Sequence, residues 1–236
     1  MTERHTIALR EALHWINNHF NAIGIVVSGS IVRGNADVHS DFDIFVIHEE
    51  PWRQRVQKYF NGVPCELFIN NPAQVYLYFE NELKNNRPVT ANIISTGKIV
   101  KGAHDARLQQ LWKDAATYAT QSPVVTEEQL LFRIYGMSNM LEDATDVLNT
   151  DTATAQYFLD KTIIELVDFL FLRNKTPLPR TKERLAILQE IEPGAGKKIA
   201  AYYASGTCQD KYALVSDLLY TLFNQSGFFE WSSGAE

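Results

Sequence analysis

The stretch Val27-Ser28-Gly29-Ser30-Ile31-Val32-Arg33-Gly34-Asn35-Ala36-Asp37-Val38-His39-Ser40-Asp41-Phe42-Asp43-Ile44-Phe45-Val46-Ile47 constrains this chain more than any other. An apolar run from Ile23 to Val27 reads as a buried strand and stops at Gly29-Ser30, a corner where a helix can open. After a polar link a second strand begins with two aspartates, Asp41 and Asp43. Residues two apart on a strand project to one face, so the two carboxylates stand together. Carboxylates held side by side repel each other unless a cation sits between them. The Gly-Ser corner offers backbone N–H groups to an anion. A cation site beside an anion cradle is what a metal–phosphate site requires.

Around that stretch the N-terminal half alternates helices and strands. Leu9, Leu13, Ile16 and Phe20 repeat at helical spacing over residues 3–20. Pro51 is suited to a first helical turn, and Trp52 to Phe60 reads as its continuation, ended by the turn Asn61-Gly62. Val63 to Ile69 is a third strand, with Glu66 charged among apolar neighbours. Pro72 opens a helix to about residue 86, and Pro88 breaks it. Gly97 to Gly102 is a short strand, followed by a helix over 105–119.

Gln121-Ser122-Pro123 marks a boundary between domains 1–122 and 123–236. Thr126 is an N-cap, and everything beyond reads helical: 127–149, 153–174, 181–191, 195–204 and 209–225. Helices joined by short links predict a bundle. The aromatic tail Phe228-Phe229-Glu230-Trp231 either packs back on that domain or meets a partner.

The net charge of −6, with no Lys/Arg-rich run, argues against nucleic acid as a partner. No run approaches the ~20 apolar residues of a membrane span, and the N-terminus leads into an amphipathic pattern without a signal-peptide core. The expectation is a cytoplasmic protein with no membrane partner. Its two cysteines, Cys65 and Cys208, are expected to be reduced thiols.

Gly29-Ser30, Arg33-Gly34, Ser40-Asp41-x-Asp43 and the later strand acid Glu66 together resemble the nucleotidyltransferase superfamily, with its DNA polymerase beta-like fold. Within it the pattern is similar to the small-molecule type, exemplified by aminoglycoside nucleotidyltransferases, and to minimal nucleotidyltransferase domains. The likeness covers residues 5–120 closely and the remainder in outline. It implies an α/β (α+β) domain with a short mixed sheet flanked by helices, followed by an all-α helical bundle domain. It also implies Asp41 and Asp43 as ligands of Mg²⁺, two ions about 4 Å apart, with ATP or another NTP as co-substrate. Gly29, Ser30 and Arg33 would bind the phosphates and Ser40 would add a hydroxyl contact. Glu66 would complete the acidic cluster, as a further metal ligand or as the base for the acceptor hydroxyl. His39 reads only as a loop histidine, since its neighbours explain the site without it.

Each of these residues also has a plainer reading. An Asp-x-Asp is often a solvated turn, Glu66 a charge that protects an edge strand, and Arg33 a surface arginine.

In the second domain, Leu130, Ile134, Met137, Leu141, Ala144 and Leu148 form a core stripe on the 127–149 helix. Tyr135, Asn139, Glu142, Asp143 and Asp146 fall on its opposite face, either solvated or an acidic wall for a polycationic acceptor. Glu142 and Asp146 are the candidates for acceptor binding or for an alternative base, as second-domain carboxylates are in aminoglycoside-type members. Lys182, near a helix start, is a candidate phosphate contact or a surface lysine.

The expected partners are a nucleotide and a small-molecule acceptor, with a homodimer left open because antibiotic-modifying relatives include dimers that share a cleft. Two rivals accompany the main reading: an enzyme that adenylylates a protein, and an interaction protein that binds nucleotide without turnover.

Overall fold

A computed structural model describes residues 1–34, 36–37, 40–225 and 227–232. The chain divides into two compact units, Met1–Gln121 and Ser122–Glu236. The first is a mixed sheet with flanking helices and the second is helical, as the pattern of the sequence predicts. No helix among the described residues is long and apolar enough to cross a membrane.

The first unit opens with α1 (Glu3–His19), whose N-terminus is closed by a capping box between Thr2 and His5. Its fully buried line is Ala8, Ala12 and Ile16, with Leu9, Leu13 and Phe20 only partly covered. Small side chains at the contact let this helix lie close to the sheet. The strands are β1 (Gly24–Ser28), β2 (Phe42–Ile47), β3 (Gln54–Phe60), β4 (Val63–Asn70) and β5 (Lys98–Lys101), in the order β3-β4-β2-β1-β5. β2 and β4 are parallel, and the other neighbours are antiparallel.

Phe42, Ile44 and Val46 of β2 pack on the α1 side of the sheet. Phe45 and Ile47 pack on the other side, against α3 (Pro72–Lys84), α4 (Val89–Thr96) and α5 (Ala106–Thr120). A central strand covered on both faces reads as a near-continuous apolar run, which is why Ile44 to Ile47 shows no alternation.

Two elements correct the sequence reading. Residues 54–60 are a strand, where a helix from Pro51 through Phe60 was expected. Asn61 and Gly62 both have positive φ, +44° and +72°. That is the two-residue turn that closes a β-hairpin with the right twist, and it pairs Phe60 with Val63. β3 is a largely exposed edge strand, so it lacks the apolar pattern by which strands are recognised. The second element is α4, which the sequence passed over as the breaker after Pro88. Its N-terminus is capped from another helix: Glu82 accepts from the Thr90 N–H at 2.8 and 3.0 Å and from the Thr90 hydroxyl at 2.6 Å.

The second unit is built from α6 (Glu127–Val147), α7 (Thr152–Arg173), α8 (Arg184–Ile191), α9 (Pro193–Ala204) and α10 (Cys208–Phe223). Met137, Leu141 and Ala144 carry the α6 stripe into a core with Leu159, Ile163 and Leu166 of α7 and with residues of α9 and α10. The aromatic tail packs back on this unit. Trp231 stacks on Tyr135 at 5.4 Å and lies 5.7 Å from Phe132, both on α6.

Candidate active site

The register of four strands places Ser28, Asp43, Glu66 and Gln57 in one row across β1, β2, β4 and β3. Register partners project to the same face, so this row is the floor of the site. The neighbours Phe42 and Cys65 point to the opposite face, into the core under α1.

The glycine corner is held by backbone. Gly29 has φ +103°, and a Cβ there would lie 2.6 Å from the Asp41 carbonyl oxygen. Only glycine lets the chain turn from β1 and pass that close to the start of β2. The helix that opens at Ser30 is a single turn, α2 (Ser30–Arg33), closed by Gly34 at φ +86°. Phosphate recognition here would therefore rest on local N–H and hydroxyl groups more than on a helix dipole, which grows with aligned peptides. Arg33 ends this turn on the surface.

Asp41 lies one residue before β2 and is half-buried, as is Asp43. Burial first, and the Asp41 charge second, push the Cys65 thiol up to about 12.

Ser40 is buried, and its hydroxyl serves the loop: it accepts from the Asp37 N–H at 2.8 Å and donates to the Asp37 carboxylate at 3.1 Å. A cavity of about 520 Å³ adjoins this loop, lined by Arg4, Ile31, Gly34, Asp37 and Ser40 among others. His39 lies outside the described residues.

Glu66 is held from the edge strand. Its Oε2 accepts from the Arg55 guanidinium at 2.6 Å, and its Oε1 accepts from the Gln57 amide. Both partners sit on β3, which the helical reading had removed from the sheet. Counting back from the Asn61-Gly62 turn sets Gln57 opposite Glu66, so the signal for this contact was present in the sequence. A further residue the sequence did not single out is Ser28. It is fully buried beside Asp43, with its hydroxyl 3.4 Å from that of Thr96.

Glu142, Asp146 and Lys182 belong to the second unit. Glu142 and Asp146 are one turn apart on α6, the first half-buried and the second exposed, and Lys182 is exposed in the turn before α8.

Among the described residues no three His, Cys, Asp or Glu side chains gather into a metal cluster. The donor chemistry still suits Mg²⁺. That ion takes one or two carboxylates and completes its shell with substrate phosphate and water, so it does not need an all-protein cage. Asp41 and Asp43 are two carboxylates of that kind, and Glu66 is the one bonded by Arg55 and Gln57 of β3.

The family of nucleotidyltransferase domains matches residues 8–103, which contain α1, the glycine corner, Asp41, Asp43 and Glu66. No curated protein matches the chain. Among solved structures, a nucleotidyltransferase-like protein from Exiguobacterium sibiricum has a similar fold, with a TM-score of 0.55 and 14% sequence identity. The alignment covers 92% of this chain and 73% of that one.

Proposed function

We propose that this chain, whose residues 8–103 match the family of nucleotidyltransferase domains, moves AMP from ATP onto a hydroxyl of a small molecule. The observation that carries the reading is the row of Asp43 and Glu66 on one sheet face, beside a corner at Gly29 that admits no side chain. The acceptor oxygen forms a bond to the α-phosphorus. The bond from that phosphorus to the bridging oxygen breaks, and pyrophosphate leaves with the electron pair. Acceleration would come mainly from positioning and charge stabilisation, as in other phosphoryl-type transfers.

The residues divide that work. Backbone N–H groups after Gly29 and the Ser30 hydroxyl bind the β- and γ-phosphates, and Arg33 offsets their charge. Asp41 and Asp43 would hold Mg²⁺, which when bound supplies positive charge where negative charge accumulates at phosphate. Glu66 takes the acceptor's proton. A carboxylate has about four lone-pair sites, so bonds from Arg55 and Gln57 orient Glu66 and leave room for a hydroxyl. The aminoglycoside-type resemblance favours an antibiotic-like small molecule as acceptor.

The test supplies Mg²⁺ and each of ATP, GTP, CTP and UTP labelled at the α-phosphate, with aminoglycosides, lincosamides and cell lysate as acceptors. Label from ATP on a small molecule is the expected result. Label on a protein band would transfer the assignment to protein adenylylation. Nucleotide binding without transfer, unaffected by Asp41→Ala with Asp43→Ala, would leave only a nucleotide-binding interaction protein.

A further inference from the structure

Strand order puts different chemistry on the two sides of Asp43. On one side β1 ends in the Gly29-Ser30 corner; on the other lie β4 and the edge strand β3. A cavity of about 490 Å³ opens on the β4–β3 side, lined by Phe45, Arg53, Arg55, Phe68, Tyr78 and Glu82, among others. Phe45, Phe68 and Arg55 are each two residues along their strands from Asp43, Glu66 and Gln57, so the cavity shares the face of the acidic row. Its size suits a small-molecule ligand, for which pockets run from about 300 to 1,000 Å³.

The lining is aromatic and cationic. Phe68 stacks on Phe45 with ring centroids 5.0 Å apart. The Arg55 guanidinium lies 5.0 Å from the Phe68 centroid while it bonds Glu66. Arg53 donates to the Tyr78 hydroxyl at 2.7 Å and stands 5.8 Å from that ring's centroid. Glu82 and Thr90 also line the cavity, and the Glu82 carboxylate accepts from the Thr90 N–H and hydroxyl as the cap of α4. A guanidinium carries five N–H donors. Among the described residues Arg53 spends one on Tyr78, and Arg55 spends one on Glu66. Planar, forked donors over aromatic faces match carboxylate and phosphate oxygens.

We propose that this cavity takes the anionic end of the acceptor, a small hydroxylated molecule that bears a carboxylate or a phosphate. Its hydroxyl reaches the Asp43–Glu66 row from the β4 side, opposite the triphosphate. There its oxygen bonds the α-phosphorus, pyrophosphate leaves, and its proton passes to Glu66. The assignment rests on transfer to a small-molecule hydroxyl as set out above, and narrows the acceptor to an anionic one.

The experiment compares matched pairs, 4-hydroxybenzoate with 4-hydroxybenzyl alcohol and glycerol 3-phosphate with glycerol, alongside an aminoglycoside and an RNA oligonucleotide. Binding to the full chain is measured by calorimetry with Mg²⁺ and a non-hydrolysable ATP analogue, and transfer with ATP labelled at the α-phosphate. The anionic member of at least one pair is expected to bind about 10-fold to 100-fold more tightly, the range of a charge-assisted hydrogen bond. Which pair responds separates carboxylate from phosphate. Arg53→Gln is expected to bring that ratio close to one, while Arg53→Lys, which keeps the charge, retains part of it. Arg53 is exposed, so the fold should survive both changes, which circular dichroism checks. Equal binding of both members of each pair overturns the proposal, as does binding confined to the aminoglycoside or the RNA, whether or not label moves. Arg53-dependent anion binding without transfer supports the cavity and instead removes the transfer reading.

Discussion

The two sides of Asp43 are built in different ways. Toward β1 the site is made by backbone: a glycine at positive φ, a one-turn helix, and a carbonyl that leaves no room for a Cβ. Toward β4 and β3 it is made by side chains: Glu66 held by Arg55 and Gln57, then an aromatic and arginine-lined cavity. Backbone geometry tolerates few substitutions, whereas side chains on an exposed edge strand can be exchanged with little cost to the fold. In the proposed reading the β1 side meets what every nucleotide shares, its phosphates, and the β3 side meets what distinguishes one acceptor from another.

The largest effect is expected from Asp41→Ala with Asp43→Ala, which should lower transfer by about 10³-fold or more, in line with loss of a main electrostatic element. A melt monitored by circular dichroism should stay cooperative, and turnover that survives would remove both aspartates from the chemistry. Next is Gly29→Ala, which forces a Cβ against the Asp41 carbonyl and should cost about 1–3 kcal/mol in denaturant unfolding. A stable Gly29→Ala protein would mean that the corner is not fixed by backbone.

Third, Arg55→Gln and Gln57→Leu should each reduce turnover by about 10-fold through loss of one bond to Glu66. Because an exposed ion pair contributes only about 0–1 kcal/mol, stability should hardly change. A large loss of stability without a kinetic effect would make β3 structural. The smallest effect concerns the opposite face of β4. Cys65 is 2% exposed, and burial pushes its thiol from about 9 up to about 12. Alkylation at pH 8, read by mass spectrometry, should leave it unmodified. The sign of the linkage follows: between about pH 9 and 12 the unfolded chain releases the thiol proton while the folded chain keeps it, so this contribution to stability is lost as pH rises through that window.

The same contrast explains what could be read from the sequence. The β1 corner and the two aspartates lie within about fifteen residues of chain, so a local motif carries them. The hairpin contact of Gln57 and Arg55 with Glu66 depends on pairing between strands, and the polar edge strand β3 gave no apolar alternation to announce it. Asn61-Gly62 was the one local signal, and reading it as a hairpin turn brings both partners opposite Glu66 and Phe68. The cap that Glu82 places on α4 was hidden for the same reason: the acid and the N–H it satisfies belong to different helices. In the second unit the α6 stripe was legible because a 3.6-residue period needs no partner to be seen. Where the tail would lie was not, since Trp231 meets Tyr135 only through the fold.

Whether this site moves a nucleoside monophosphate is decided by ATP labelled at the α- or at the γ-phosphate, incubated in parallel with Mg²⁺ and acceptor. Label is expected to reach the acceptor only from the α-position, with pyrophosphate in equal amount, and Asp41→Ala with Asp43→Ala is expected to abolish both. Label carried over from the γ-position, or α-label still transferred by the double variant, would contradict nucleotidyl transfer at this site.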